Sequence, residues 1–244
     1  MSITLPSPVL PYATRVTRDG RPMRRAGDGP TTDHSVSLVV PAHDEAQDIP
    51  WVFEQIPCCV DEVILVRGAG SGSALRAGFA AATGEYIVLM NADGSMWPGE
   101  IPHYLHFLDN GYDFVKGSRR LVGGGSPART RMGSIGNHLL IAVVNRLYHT
   151  VLTDLCYGFC AFRRSLLAEL DLRAPDFEIE VEMVAHALRS GLRIAEVPSL
   201  ELPRRSGRSH LPAVSDGLRV LRTLIAERPG SRTAAPLAGG EGMR

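Results

Sequence analysis

Three turns in this chain place acidic, hydroxyl or basic side chains directly after short apolar runs. They are "VVPAHDEAQDI" (Val39 to Ile49), "VLMNADGSM" (Val88 to Met96) and "KGSRR" (Lys116 to Arg120). A further apolar run, "DEVILV", opens into a glycine-rich turn, "RGAGSGSALRAGF". Glycines after a strand allow backbone N–H groups to approach phosphate, so a dinucleotide finger is the first chemistry to test. That motif needs G-x-G-x-x-G after the strand, and an acidic residue about 20 positions on for the ribose. Here Gly68, Gly70 and Gly72 give G-x-G-x-G, and Ser73 stands where the helix-packing glycine belongs. The next strand ends in Asn91, with the carboxylate displaced to Asp93. The spacing argues against a nicotinamide-dependent oxidoreductase. Two more carboxylates, Glu178 and Glu180 of "FEIE", stand at the start of a predicted helix. Two residues apart, they cannot share a helix face, so at most one points into any site.

The elements that must position these residues follow from the apolar pattern. "SVSLVV", "DEVILV", "EYIVLM" and "YDFVKG" are short continuous runs, as expected of strands covered on both faces. Helical stretches separate them at Glu45 to Ile56, Ser73 to Ala82 and Glu100 to Leu108. Strands alternating with helices predict an α/β fold with a mostly parallel sheet flanked by helices and right-handed crossovers. In such sheets ligands bind outside the carboxyl ends of the strands, where the polar turns lie. Residues 1–34 and 229–244 are rich in Arg, Gly, Pro and Ala with no apolar period, so a disordered arm and tail are expected around one domain spanning 35–228.

Composition narrows the function classes. The chain has 244 residues, 44% of them hydrophobic, enough to bury one core. Net charge is zero, which gives no electrostatic reason to expect a nucleic-acid partner. Arg supplies nearly all the basic charge, Lys116 being the single Lys, a usage that hints at a bacterial source. Four Cys (Cys58, Cys59, Cys156, Cys160) form no paired C-x-x-C set, so reduced, buried thiols are expected. No apolar stretch reaches the roughly 18 residues of a membrane span, and the first residues lack a signal-peptide pattern, so a cytoplasmic protein is expected.

Taken together, the strand-end motifs resemble family 2 glycosyltransferases of the GT-A fold, in particular the branch of dolichol- and polyprenyl-phosphate sugar synthases. The resemblance rests on "PAHDE", "NAD", "GSR", "TDLCYGFCAFRR", "FEIEVE" and "LRIAEVPSLELPRRSGRSHL", in that order, and covers roughly residues 35–227. It implies transfer of a sugar from a nucleotide-diphosphate donor to a polyprenyl-phosphate or small-molecule acceptor, with inversion of configuration and with Mg²⁺ or Mn²⁺ assisting. The leaving diphosphate gains negative charge in the transition state, which a hard cation and cationic side chains stabilise. By the resemblance Asp93 is the metal ligand and a catalytic residue, with Ser95 beside it. Pro41, Ala42, Glu45, Asn91 and Arg119 would line the donor site, and Arg204, Ser209 and His210 would belong to a loop closing over the donor phosphates. Glu178 and Glu180 would be the acceptor-side carboxylates, one of them a base if the acceptor is a hydroxyl. The absence of a span leaves room for peripheral membrane contact.

The chain also departs from the family pattern. After the second strand the family carries a "DDGSxDGT" type turn whose Asp holds the base, then a helix and another strand. Here Val66 runs at once into the glycine-rich helix, so one strand-helix unit of about thirty residues is expected to be missing. Asn91 replaces the first Asp of the Asp-x-Asp motif, and His210 replaces the loop Lys. These losses keep open an alternative, a non-catalytic descendant with a binding or scaffolding role.

Overall fold

The computed structural model describes residues 13–16, 33–42, 47–67, 71–127, 131–205 and 213–228. Its centre is a seven-stranded sheet in the order β1-β3-β2-β4-β6-β5-β7. The strands are β1 (Ala13–Val16), β2 (Val36–Pro41), β3 (Glu62–Val66), β4 (Tyr86–Leu89), β5 (Phe114–Ser118), β6 (Cys160–Arg163) and β7 (Ile194–Pro198). The helices are α1 (Ile49–Gln55), α2 (Ser71–Ala81), α3 (Ile101–Asp109), α4 (Arg131–Tyr148), α5 (Leu167–Leu170), α6 (Glu178–Arg189) and α7 (Ala213–Ala226).

The period-2 alternation of each strand sorts its side chains onto two faces. Leu38, Val40, Val63, Leu65, Tyr86 and Val88 pack with Val52 and Phe53 of α1 and with Ile101, Tyr104 and Leu105 of α3. Val39, Ile64, Val66, Ile87 and Leu89 pack with Leu75 and Phe79 of α2, Val144 of α4, Ile179 and Met183 of α6 and Leu224 of α7. Both faces are covered, which is why β2, β3 and β4 read as continuous apolar runs. In α2, a Cβ at Gly78 would lie 2.6 Å from Val66 and 2.7 Å from Val39 side-chain carbons. The glycine that brings helix close to strand is therefore Gly78, six positions beyond the last of the glycine-rich turn.

Two features modify the expected architecture. The sheet is more mixed than the strand-helix alternation implies. β2 pairs in parallel with β3 and β4, and β5 with β7, but β6 runs antiparallel between β4 and β5, and β1 antiparallel to β3. Cys160, the first residue of β6, pairs with Leu89, the last residue of β4, and with Lys116 in the middle of β5. The chain thus enters β6 from the functional edge, and its preceding segment lies across that edge. Second, the arm expected to lack structure supplies a strand: Ala13–Val16 pairs with Val66–Val63 on the outer edge of β3. The remainder of that arm and the tail from 229 lie outside the described residues.

All four cysteines are free thiols, Cys59 and Cys160 buried and Cys58 and Cys156 exposed, so the expected burial holds for two of them. At the end of α7, Glu227 Oε2 lies 2.8 Å from His186 Nε2 and 2.8 Å from Arg189 Nη1, clasping α7 to α6. Glu182, His186 and Glu227 bring ligand atoms within 4.8 Å of one another. Glu182 Oε2, however, already accepts the Arg173 and Ala174 N–H groups, and Arg189 already balances Glu227, so this cluster is a helix clasp.

Candidate functional site

The polar turns gather at the carboxyl ends of β2, β4 and β5. Pro41 ends β2 half-buried, and the next residue, Ala42, donates its N–H to the Val66 carbonyl at 2.9 Å, fastening the ends of β2 and β3. Beyond β4, Asn91 is half-buried and Asp93 is almost wholly buried. Asp93 Oδ1 accepts the Ser95 N–H at 3.0 Å and the Ser95 hydroxyl at 2.6 Å, a local turn that fixes the carboxylate. Gly94 supplies the left-handed backbone (φ 72°) that the turn needs. The other oxygen, Oδ2, lies 3.3 Å from Arg204 Nε.

Residues 199–205 are stitched along this turn. Glu100 Oε1 accepts the Leu200 N–H at 3.0 Å, and Glu100 Oε2 accepts the Ser199 hydroxyl. The Leu202 N–H donates to the Ser95 carbonyl at 2.8 Å and the Arg205 N–H to the Asp93 carbonyl at 3.1 Å. The Arg205 guanidinium lies over the Trp51 ring of α1, 4.6 Å from its centroid. Asp93 and Ser95, of one turn, are thus brought together with Arg204, which is distant in sequence. Glu45, Ser209 and His210 lie outside the described residues.

Arg119, which follows β5, is engaged differently. Its Nε donates to Asp154 Oδ2 at 2.7 Å, and its Nη2 to Asp154 Oδ1 at 3.0 Å and to the Cys156 carbonyl at 2.9 Å. Its Nη1 donates to Glu201 Oε2 at 3.1 Å. Burial alone would weaken the guanidinium's hold on its proton, but the Asp154 bond and charge overcome it and hold Arg119 more firmly protonated than usual. Burial likewise pushes the Asp154 carboxyl up. The Arg119 hydrogen bonds and the Lys116 charge outweigh it, and the carboxyl is held down at about 2. Asp154 also accepts from Asn137 at 2.8 Å. Its backbone N–H and both donors of Thr153 are received by Glu196 of β7. Arg119 is therefore a pin that holds the segment leading into β6.

The two "FEIE" carboxylates face different ways, as their spacing requires. Glu178 Oε1 is 2.5 Å from Arg219 Nε, so it turns toward α7. Glu180 turns back to the sheet edge: a Cβ at Gly158 would meet both of its carboxylate oxygens at 2.7 Å. Gly158 thus leaves the room that Glu180 occupies. Burial pushes the Glu180 carboxyl above the ordinary range, tempered by the charges of Lys116 and then Arg119. Lys116 is itself buried within β5 and donates from Nζ to the Tyr157 carbonyl.

Sequence reasoning missed Asp154, Glu196, Glu201 and Lys116. The signal for Asp154 is its place in "TDLCYGFCAFRR", a carboxylate one residue into the segment that leads to a reversed strand. The donor set at Asp93 suits a hard divalent ion: a fixed carboxylate and an adjacent hydroxyl are all-oxygen ligands, and a nucleotide's phosphates supply further oxygens.

A mixed sheet with helices on both faces and its polar turns at one carboxyl edge is the architecture of GT-A glycosyltransferases. Glucosyl-3-phosphoglycerate synthase from Mycobacterium tuberculosis, solved with Mn²⁺, UDP and glucosyl-3-phosphoglycerate, superposes with a TM-score of 0.64, 21% identity and 80% of each chain covered. The same enzyme has been solved with Mg²⁺ and UDP. The sequence profile of Glycosyl transferase family 2 matches residues 53–171. An uncharacterised glycosyltransferase of Mycobacterium bovis is 30% identical over 209 residues, covering 76% of this chain and 92% of that protein. The undecaprenyl-phosphate mannosyltransferase of Micrococcus luteus is 33% identical over 133 residues, covering 52% of this chain and 53% of that one. The chain belongs to glycosyltransferase family 2. It spans about half the length of several curated relatives that it matches.

Proposed function

We propose that this protein transfers a sugar from a nucleotide-diphosphate donor to an acceptor oxygen, with a divalent cation, Mg²⁺ or Mn²⁺, held at Asp93 and Ser95. The observation that carries the reading is the meeting of Asp93, which suits a cation, with Arg204, which suits a phosphate, at the edge where such sheets bind ligands. A cation bound there supplies Lewis-acid stabilisation of the charge that grows on the leaving diphosphate. Arg204 donates to the diphosphate oxygens, and the Asp93 turn fixes the position against which they rest.

On the acceptor side, Glu180 accepts the proton of an acceptor hydroxyl as its oxygen attacks the anomeric carbon. The carbon–oxygen bond to the diphosphate breaks, the nucleoside diphosphate departs with that electron pair, and the configuration inverts. If the acceptor is a lipid phosphate, the attacking oxygen is already ionised and Glu180 shapes the pocket. A polyprenyl-phosphate acceptor is favoured by the name of the Micrococcus relative. It is favoured too by exposed apolar side chains: Ile135 and Leu139, one turn apart on α4, and Val122 in the turn after β5. These would rest against a membrane surface from the cytoplasmic side. No helix among the described residues is long and apolar enough to cross a membrane.

Calorimetric titration with UDP, GDP and their common sugars, each with and without Mn²⁺, tests the proposal. Donor binding that needs the metal and is lost in Asp93→Asn is the expected result. No binding of any nucleotide under either condition would overturn it and leave the scaffold role.

A further inference from the structure

Among the described residues, two Arg–Asp pairs stand at the edge that carries the polar turns, and their geometries differ. Arg119 and Asp154 share two short bonds, with 10% and 0% of the side chains exposed. Arg204 meets Asp93 through Nε alone, at 3.3 Å, and 40% of its side chain is exposed. One pair is bidentate and dry; the other is single, longer and open to solvent on its basic side. Exposed single contacts of this kind contribute little and are readily exchanged. Asp93, in contrast, cannot turn away, because Ser95 holds its Oδ1 through two bonds. Whatever neutralises Oδ2 must come to it.

We infer that Arg204 is the internal counter-ion of Asp93 and competes with the divalent cation for Oδ2, so that metal and donor diphosphate bind cooperatively by exchanging partners. This rests on the reading of Asp93 as the metal ligand. A cation arriving at Oδ2 releases Arg204, whose guanidinium is then available to phosphate. A diphosphate that draws Arg204 away leaves Oδ2 free for the cation. Each ligand thus removes a competitor of the other, and the coupling is reciprocal. The neighbouring Arg205, over Trp51, places a reporter beside the exchange.

The test is Mn²⁺ titration of the parent, Arg204→Gln and Asp93→Asn, followed by free-Mn²⁺ paramagnetic resonance and by Trp51 emission, with Trp51→Phe identifying the Trp51 signal against that of Trp97. Without nucleotide, Arg204→Gln should bind Mn²⁺ about two- to fivefold more tightly than the parent, as expected for loss of one partly exposed competing ion pair. UDP should tighten Mn²⁺ binding in the parent, and by a clearly smaller factor in Arg204→Gln. Equal Mn²⁺ affinity in parent and Arg204→Gln, with Asp93→Asn abolishing it, would overturn the competition and leave the metal site standing. Undiminished Mn²⁺ binding in Asp93→Asn would remove the metal site itself, and the competition with it.

Discussion

Replacing Asp154 by Asn tests whether Arg119 is a pin or a free phosphate ligand. Asp154 is fully buried and receives two bonds from the Arg119 guanidinium and one from its backbone N–H, so Asp154→Asn leaves a largely buried guanidinium facing Glu201 with only a neutral carbonyl in place of the carboxylate. Breaking one side of a buried pair costs about 3–5 kcal/mol. The retained amide oxygen places the expected loss at neutral pH near the lower figure. The pH dependence gives an independent estimate. The carboxyl is held at about 2 in the folded protein against an ordinary value of 3.8, and a shift of this size corresponds to about 2 kcal/mol. Because the folded value is the lower one, this stability is present above pH 4 and is lost as pH falls from about 4 to about 2. Urea unfolding of parent and variant at pH 7, and at steps between pH 4 and pH 2, measures both. Other carboxylates titrate in both proteins and cancel in the difference. The gap between the two curves should narrow by about 2 kcal/mol over that interval. A neutral-pH loss below about 1 kcal/mol together with parallel acid profiles would refute the pin. Arg119 would then be available to a donor.

Glu180 and β1 give further expected outcomes. Glu180→Gln should lower kcat by roughly 10²- to 10⁴-fold if the acceptor is a hydroxyl, and little if it is a lipid phosphate; steady-state rates on both acceptor classes separate the cases. Since burial raises the Glu180 carboxyl in the folded protein, its ionisation costs stability as pH rises through that raised value, so Glu180→Gln should melt higher than the parent at pH 8 and alike at pH 4. Identical melting at both pH values would place Glu180 in solvent. Removal of residues 1–16 should lower unfolding free energy by about 1–4 kcal/mol, from four cross-strand pairs, and promote self-association through the bared edge of β3. An unchanged melt and an unchanged sedimentation profile would show that β1 adds nothing.

The fold was legible where a strand's burial is written into its own residues. β2, β3, β4 and β5 coincide with the four apolar runs because both faces of those strands are covered. α1 begins at Ile49, four residues later than the pattern suggested, with Pro50 in its first turn as helix starts favour. β1 was illegible because "ATRV" carries no signal of its own; it is a strand because the outer edge of β3 is open to pairing. The site was legible to the extent that local chemistry suffices, as at Asp93 and Ser95. Which of Glu178 and Glu180 faces the site depends on Arg219 and Gly158, from α7 and the entry to β6. The part played by Arg119 depends on Asp154, thirty-five residues on, and no spacing rule connects them.

The direction of β1 bears on the base end of the proposed donor site. A parallel strand beside β3 would end at the functional edge and lead from there into a turn and a helix N-terminus, with free N–H groups and room for a carboxylate aimed at a nucleotide. β1 satisfies the same backbone groups of β3 in the opposite direction. Its first residue, Ala13, stands opposite Val66 at that edge, and its last, Val16, stands opposite Val63 at the far one. Among the described residues, the sheet's hydrogen bonding is therefore extended without the turn and helix start that the resemblance leads one to expect beside the base. The donor contacts proposed above, Asp93 with Ser95 and Arg204, belong to the other side of β2, and their chemistry would suit a diphosphate and its cation. On the proposed function, recognition would be weighted toward the charged end of the donor, the end at which Arg204 and Asp93 meet.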